Sequence, residues 1–458
     1  WSKPSTDEDG SALTGLSGYR LYRSNYSDTN DWEQYLIFTA TDPDDTDYVD
    51  TDILSGETYY YRITAYDSHY TNGKNFQNNS WYSASYRAVA KTEYKGPKWY
   101  VNDTSQTGDV YTSQTGSDTS GCGSASEPYF SIWKALSKAK SGDTIYIDAG
   151  TYSETVVIDT NYMSLIGADS SLTVINPAGD STVSSLYGIY AINKRNILIR
   201  DLKVTDANRG IYFNNVDTSV IDNVTVSYCG GYSSGENGLY MVNCDFDTLS
   251  NLYVFNNGAG LYIESSHKNY IANILSSNNK NSTNNSSGLV LYNSNYNAIN
   301  NGRFQLTNGC GIYCQNANYT LITNNYSETN TTYGVVIAQA INNLISNNTI
   351  TNNSNAGIYL NVNANYNYIN NNLLFKNAGG GISLSASNND TIINNSIYYS
   401  SNAGIRLISS SNNIIKNNVS SNNSTANGYG FYLSNSYNNY FGQNTADSNQ
   451  VYGFYIVG

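Results

Sequence analysis

The sequence predicts an all-β chain in two parts: an N-terminal antiparallel β-sandwich, then a parallel β-solenoid opened by a short capping helix. Three observations carry that expectation. Residues 1–93 alternate apolar and polar side chains in strand-length segments separated by turn residues. From residue 188 onward a glycine followed by apolar, variable and apolar residues recurs every 22–28 residues. A second apolar residue follows each glycine after eleven or twelve positions.

The N-terminal segments "SGYRLYRS", "TDYVDTDILSGETYYYRITAYD" and "SWYSASYRAVAKT" read as strands of a sandwich. The stretch "LSGETYYYRITAYD" and Trp1 resemble fibronectin type III domains, with Trp1 at the place of that family's strand-B tryptophan. The resemblance implies a spacer domain that lacks its first strand. Residues 94–128 then read as a linker and the approach to the solenoid, which is expected over 129–458.

The solenoid expectation rests on twelve glycines from Gly188 to Gly453. In GIYF, GLYM, GISL and their relatives the first and third residues after glycine are apolar, so they point inward while the second points outward. The second apolar column runs from Ile199 through Ile393 and Ile415 to Phe441. Two residues after it stands an amide column expected to form a structural ladder: Asn223, Asn251, Asn273, Asn301, Asn324, Asn347, Asn371, Asn395 and Asn417. Asparagine suits the place because its amide donates and accepts, and because it tolerates the left-handed backbone of corners. Insertions are expected at one corner, roughly over 227–237, 275–287 and 419–429.

Upstream, "SEPYFSIWKALSKAKSGDTIYIDAGTYSETVVI" reads as a short amphipathic helix followed by strands, with Ile132, Trp133, Leu136 and Ala139 on its apolar side. Such a helix would cover the exposed core of the first turn. Together with "MSLIGADSSLTVI" and the Asn-rich turns, this resembles the right-handed parallel β-helix of the pectin-lyase-like superfamily, with repeats similar to its carbohydrate-binding and sugar-hydrolase members. The resemblance is specific for fold and weak for activity.

Composition narrows function. A net charge of −13 with only 13% charged residues argues against nucleic acid and anionic membranes as partners. No apolar run reaches the roughly 18–20 residues of a membrane span. Five cysteines make no disulfide framework, and Cys244 and Cys314 read as buried thiols. Two histidines, His69 and His267, leave little for zinc or triad chemistry.

The resemblance implies clustered carboxylates or a calcium-and-base site for an active enzyme. From Gly288 onward the acids Glu328, Asp390 and Asp447 fall in different repeats and form no cluster. Earlier, the position seven residues after glycine carries Arg195, Asp217, Asp245 and His267, with Asp247, Glu264 and Lys268 near by. These are the weak catalytic candidates. The column reads either as a site for calcium or an acidic sugar, or as a charge ladder that neutralises itself, and the second reading is favoured. No cofactor or metal is expected beyond that calcium alternative.

The outward position carries Tyr190, Tyr212, Tyr240, Tyr262, Tyr313, Tyr359, Tyr432 and Tyr455, interrupted by Val290, Val336, Ser383 and Arg406. This stripe stacks on itself, joins subunits or stacks on sugar rings. Asn281, Asn284, Asn285, Asn422 and Asn423 lie in sequons on protruding corners and are the glycosylation candidates. A sandwich short of a strand and a last repeat without a cap predict head-to-tail self-association. The leading expectation is therefore a non-enzymatic extracellular or cell-surface protein, structural or adhesive, forming a filament. The alternative is a polysaccharide-active (lyase- or hydrolase-like) or carbohydrate-binding β-helix, with surface glycans as partners.

Overall fold

A computed structural model describes the chain except for residues 4, 6–14, 26–34, 51, 54–57, 68–85, 90–97, 178–186, 231–236 and 281–285. The chain divides into two compact units, Trp1–Lys95 and Gly96–Gly458.

In the first unit the strands Leu16–Ser24, Leu36–Ala40, Thr58–Asp67 and Tyr86–Val89 form one antiparallel sheet, in spatial order second, first, third, fourth. Tyr19, Tyr22, Ala40 and Tyr59 are buried beneath it. Trp1 stands edge-on to Tyr19, ring centroids 5.4 Å apart, outside any strand. Leu54 and Gly56, which carry part of the fibronectin-like stretch, lie outside the described residues.

The second unit is a parallel β-solenoid. One strand per turn, from Val156–Ile158 to Phe454–Val457, builds a 13-stranded sheet. The other strands of each turn join a 25-stranded sheet. Register is kept from turn to turn: Ile211 pairs with Leu239, Leu239 with Leu261, and Leu261 with Leu289. From Gly188 to Gly430 the first and third residues after each glycine fill the core and the second lies on the outer side, as alternation requires; in the last strand Phe454 and Ile456 are 46% and 70% exposed. The column glycines are needed for close approach. A Cβ on Gly311 would lie 2.7 Å from the Gly334 carbonyl oxygen and closer still to Ser327 Oγ of the facing sheet.

Corners are made by residues in the left-handed region. Asn324, Asn347, Asn371, Asn394 and Asn417 have φ between 56° and 59°, where asparagine is better tolerated than most residues. Some exposed corner amides bond along the stack: Asn301 Nδ2 donates to the corner Asn273 Oδ1 at 2.7 Å, while Asn324 and Asn394 donate to Asn300 and Asn370 Oδ1, one residue before the preceding corner, at 2.9 and 3.1 Å. The corner residue of the ninth glycine repeat is thus Asn394, and Ile392, not Ile393, is its core residue, paired with Ile369. Asn395 belongs instead to an inner ladder.

That inner ladder is Asn325, Asn348, Asn372, Asn395 and Asn418, each 3% exposed or less. Each Nδ2 donates to the next Oδ1, at 2.9–3.2 Å, while the same Oδ1 also accepts the backbone N–H one turn back. Each Nδ2 also reaches a carbonyl of an earlier turn, such as Ile322 for Asn348. Burial is tolerated because every polar atom is paired, each bond contributing about 1 kcal/mol net.

The cap helix is Ile132–Leu136, with Ser131 as N-cap. Glu154 accepts from the Ile132 and Trp133 N–H groups at 2.8 and 2.7 Å, which satisfies two orphan donors of the first turn. Ile132, Ala135 and Leu136 are buried, while Trp133 is 62% exposed and stands off the expected apolar side. The insertions begin later than the spacing suggested. Ser227, Leu275–Ser277 and Val419–Ser421 are paired strand residues, and Asn423 still sits in a ladder, so the third excursion occupies 424–429.

Candidate functional site

The charged column does assemble, for a structural purpose. Arg195 pairs in register with Asp217. Asp217 Oδ1 accepts the Asp245 N–H at 2.8 Å, Asp245 Oδ1 accepts the His267 N–H at 2.6 Å, and His267 Nδ1 accepts the Asn295 N–H at 2.9 Å. Asn295 and Asn318 continue the pattern. The side chains hold the next turn's backbone, so the column is a corner hydrogen-bond ladder. Asp217 and Asp245 each commit an oxygen to an amide, and His267 commits Nδ1. Glu264 accepts from the Tyr240 hydroxyl at 2.6 Å, and Lys268 lies 4.7 Å from the Phe246 ring centre. His69 lies outside the described residues.

Two acids stand in the interior where neighbouring turns carry amides. Asp247, 1% exposed, accepts the Ser219 N–H at 2.6 Å through Oδ1, and its Oδ2 has no partner. Burial, with Asp217 and Asp245 adding to it, pushes its carboxyl up to about 8. Asp390 is fully buried; burial pushes it up to about 7, against the pull of Ser387 Oγ at 2.6 Å and the Asn367 amides. Sequence reading placed neither among the inner ladders.

The outward face of the 13-stranded sheet gathers a repeated row of aromatic side chains. Tyr190, Tyr212, Tyr240 and Tyr262 lie in register, each half-buried. Ring centroids along Tyr187, Tyr212, Tyr240 and Tyr262 are 5.4–5.5 Å apart. The Arg209 guanidinium lies 5.0 Å from the Tyr212 ring centre and 4.7 Å from that of Tyr240. Val290 and Val336 interrupt the row as buried residues, with Tyr313 half-buried between them. Further on, Tyr359, Ser383, Arg406 and Tyr432 align, and Tyr455 follows. Next to this row lie polar side chains at the fourth position after glycine, among them Asn214, Gln315, Asn361 and Ser385. Gln315 and Asn361 accept from the Tyr313 and Tyr359 hydroxyls at 3.0 and 3.1 Å.

Between Tyr359 and Arg406 the face sinks into a depression of about 110 Å³ lined by Tyr333, Tyr359, Ser383, Ser385 and Arg406. Tyr333 stacks on Tyr359 at 4.7 Å with 12° between the planes. Sequence reading missed Tyr333. Its signal is a tyrosine immediately before the column glycine, repeated at Tyr187, Tyr429 and Tyr452, each of which packs on a stripe tyrosine.

Of the glycosylation candidates, Asn281, Asn284 and Asn285 lie outside the described residues. Asn422 sits at a half-exposed corner with φ 58°. Asn423 is 1% exposed with its amide bonded to Ser420, Tyr429 and Asn449, which removes it as an acceptor. Cys229, Cys244, Cys310 and Cys314 are buried free thiols, and Cys122 is exposed.

Comparison with known proteins locates the solenoid in a family. Residues 139–357 and 272–399 match the family described as "Periplasmic copper-binding protein (NosD)", more than half of the 458 residues, and residues 362–458 match "Right handed beta helix region". The chain belongs to the NosD family. The turns of this NosD-family chain thus form a right-handed parallel β-helix. No curated protein matches the chain. Solved structures similar to it include the A-module of the Azotobacter vinelandii mannuronan C-5 epimerase AlgE4 (16% identity, TM-score 0.47, 69% of this chain and 91% of that one). The Dettilon tailspike protein gp208 is 15% identical at TM-score 0.46, over 66% of this chain and 63% of its own. A GH87 alpha-1,3-glucanase catalytic domain is 14% identical at TM-score 0.46, over 72% and 66%. These likenesses concern the fold alone.

Copper fits this NosD-family chain poorly. Among the described residues no three His, Cys, Asp or Glu side chains gather to hold a metal ion. The two thioethers, Met163 and Met241, are fully buried in the core, four of the five thiols are buried, and His267 Nδ1 is engaged by a backbone amide. Among the described residues, soft ligands suited to copper are thus scattered and, Cys122 apart, engaged or covered.

Proposed function

We propose that the tyrosine face is a carbohydrate-binding surface and that the chain acts by holding polysaccharide along its solenoid. The observation that carries this reading is the register-aligned tyrosine row with polar side chains beside it. A sugar ring offers an apolar face for stacking and a rim of hydroxyls for hydrogen bonds, and a tyrosine row edged by Asn, Gln and Ser offers the complement of both. The rung spacing of about 4.8 Å is comparable with one pyranose unit, so successive rungs can meet successive sugars.

A filament contact would favour an unbroken apolar patch, and Ser383 and Arg406 break this one. This argues for the glycan over the self-assembling surface filament. The reading is of binding and not of turnover, because the acidic column uses one oxygen of each of Asp217 and Asp245 to hold backbone amides. The N-terminal antiparallel sheet is taken as a fibronectin-like spacer. The family's periplasmic description supports an exported setting. Affinity electrophoresis in gels cast with polysaccharides tests the proposal. Retardation of the full chain, reduced at least tenfold by Tyr212→Ala with Tyr240→Ala, supports it. Equal mobility of wild type and variant in every gel refutes it.

A further inference from the structure

We propose that the depression bounded by Tyr359 and Arg406 is a subsite for a single sugar unit that carries an oxyanion. The inference rests on the carbohydrate reading and deepens it, by assigning charge selectivity to one place on that face.

The shape comes from the sequence. On three successive rungs the outward position is Tyr359, Ser383 and Arg406, so a short side chain stands between two long ones. Ser385 is small at the next outward position. Gly379 packs against Asn355, where a Cβ would lie 2.6 Å from the Ala356 nitrogen, and so keeps the rim low. The result is the 110 Å³ hollow, with the stacked Tyr333 and Tyr359 rings as one wall and Arg406 as the other. Two rungs separate Tyr359 from Arg406, about 10 Å at the spacing of parallel strands, which admits one ring between them.

The charge is what distinguishes this hollow from the rest of the stripe. Arg406 makes no ion pair among the described residues, whereas Arg303 pairs with Glu328 and Arg200 with Asp201. Its guanidinium lies 5.7 Å from the Tyr432 ring centre, which orients it without neutralising it. Burial, with Tyr359 and Cys310, raises the Tyr333 phenol across the hollow, and Arg406 opposes that rise only weakly. From Gly288 onward the chain holds Arg303, Lys376, Arg406 and Lys416 against Glu328, Asp390 and Asp447. The net charge of −13 therefore resides upstream and does not oppose an anion here. Arg209 is placed against two rings of the upstream row, 5.0 Å from the Tyr212 and 4.7 Å from the Tyr240 ring centre. A guanidinium presents a planar fork of donors that matches carboxylate and sulfate oxygens. The tyrosine wall stacks on the ring that bears the anion, while Ser383 and Ser385 offer hydroxyls to its rim.

Calorimetric titration of the full chain tests the subsite with two matched pairs: tetragalacturonate and its methyl ester, and a sulfated galactan oligomer and its desulfated form. At least one anionic member should bind about tenfold or more tighter than its neutral partner, with an advantage that shrinks as salt rises. Arg406→Gln should abolish that advantage, bringing the anionic oligomer to the affinity of its neutral partner, and a circular dichroism spectrum and thermal unfolding curve like those of the wild type show the variant to be folded. Ser383→Tyr, which fills the hollow, should weaken the anionic oligomer. Which pair responds tells carboxylate from sulfate. Equal affinity within both pairs for the wild type overturns the subsite and leaves the carbohydrate reading standing. If no oligomer binds and no polysaccharide gel retards the chain, the carbohydrate reading itself fails and the subsite with it.

Discussion

Replacing Asp247 by asparagine should stabilise the solenoid, and by an amount that depends on pH in a defined direction. Asp247 is buried on an inner ladder, its carboxyl raised to about 8 from an ordinary 3.8, chiefly by burial. In the unfolded chain the group ionises as pH passes 3.8, whereas in the folded chain it keeps its proton until about 8. The folded state therefore binds more protons between those values, and stability falls as pH rises, by about 1.36 kcal/mol per pH unit. Below pH 3.8 the penalty is absent; at pH 7 it is about 4 kcal/mol, and above 8 it levels off. Asparagine has no such linkage. It also adds a donor: Asn269 and Asn297 give Nδ2 to the carbonyls of Cys244 and Ser266, and the same register offers the Val216 carbonyl to residue 247. Long repeat arrays do not unfold in one step, so the assay is hydrogen exchange of the amides from Ser219 to His267 between pH 4 and 8.5, corrected for intrinsic rates. Protection in Asp247→Asn should match wild type near pH 4 and exceed it progressively toward pH 8. A variant less protected than wild type at pH 8, or a difference constant with pH, would refute the reasoning.

Other outcomes follow from the same geometry. Asn348→Ala removes the acceptor of the buried Asn325 N–H and the donor to the Ile322 carbonyl; it should cost about 2–4 kcal/mol locally, read by exchange of the adjoining turns. Gly311→Ala should destabilise its rung by about 1–3 kcal/mol, because the new Cβ meets the Gly334 carbonyl and Ser327. In the native state a thiol reagent near neutral pH should modify Cys122 alone, since burial pushes Cys229, Cys244 and Cys314 up to about 12; all five should react after denaturation. Expressed in a glycosylating host, the 422–425 corner should carry glycan only at Asn422, as peptide mass spectrometry after Asn423→Ala and Asn422→Gln would show.

Period-two alternation made the column glycines and their inward neighbours legible, because any slip would turn apolar residues outward. The exposed corner amides were nearly as plain, since the left-handed backbone selects asparagine. The inner ladder was hidden in the same letters. In pairs such as Asn324–Asn325 and Asn417–Asn418 the first turns the corner and the second is buried, and nothing in composition tells them apart. The slip at Asn395 came from that ambiguity. Asp217, Asp245 and His267 were aligned by spacing, yet their role depends on which backbone N–H each receives, and spacing cannot show this. Ser383 and Arg406 looked like breaks in a stripe; that a small residue between two large ones leaves a hollow emerges only when the rungs are stacked.

Hydroxyl-radical footprinting of the tyrosines, with and without a polysaccharide that retards the chain, tests the central claim most directly. Tyr253 and Tyr270 are 48% and 46% exposed on the other sheet and serve as internal references. The account predicts that oxidation of Tyr212, Tyr240, Tyr262 and Tyr359 falls on addition of polysaccharide while the reference tyrosines are unchanged. Protection of Tyr253 and Tyr270 with the stripe unaffected would contradict it.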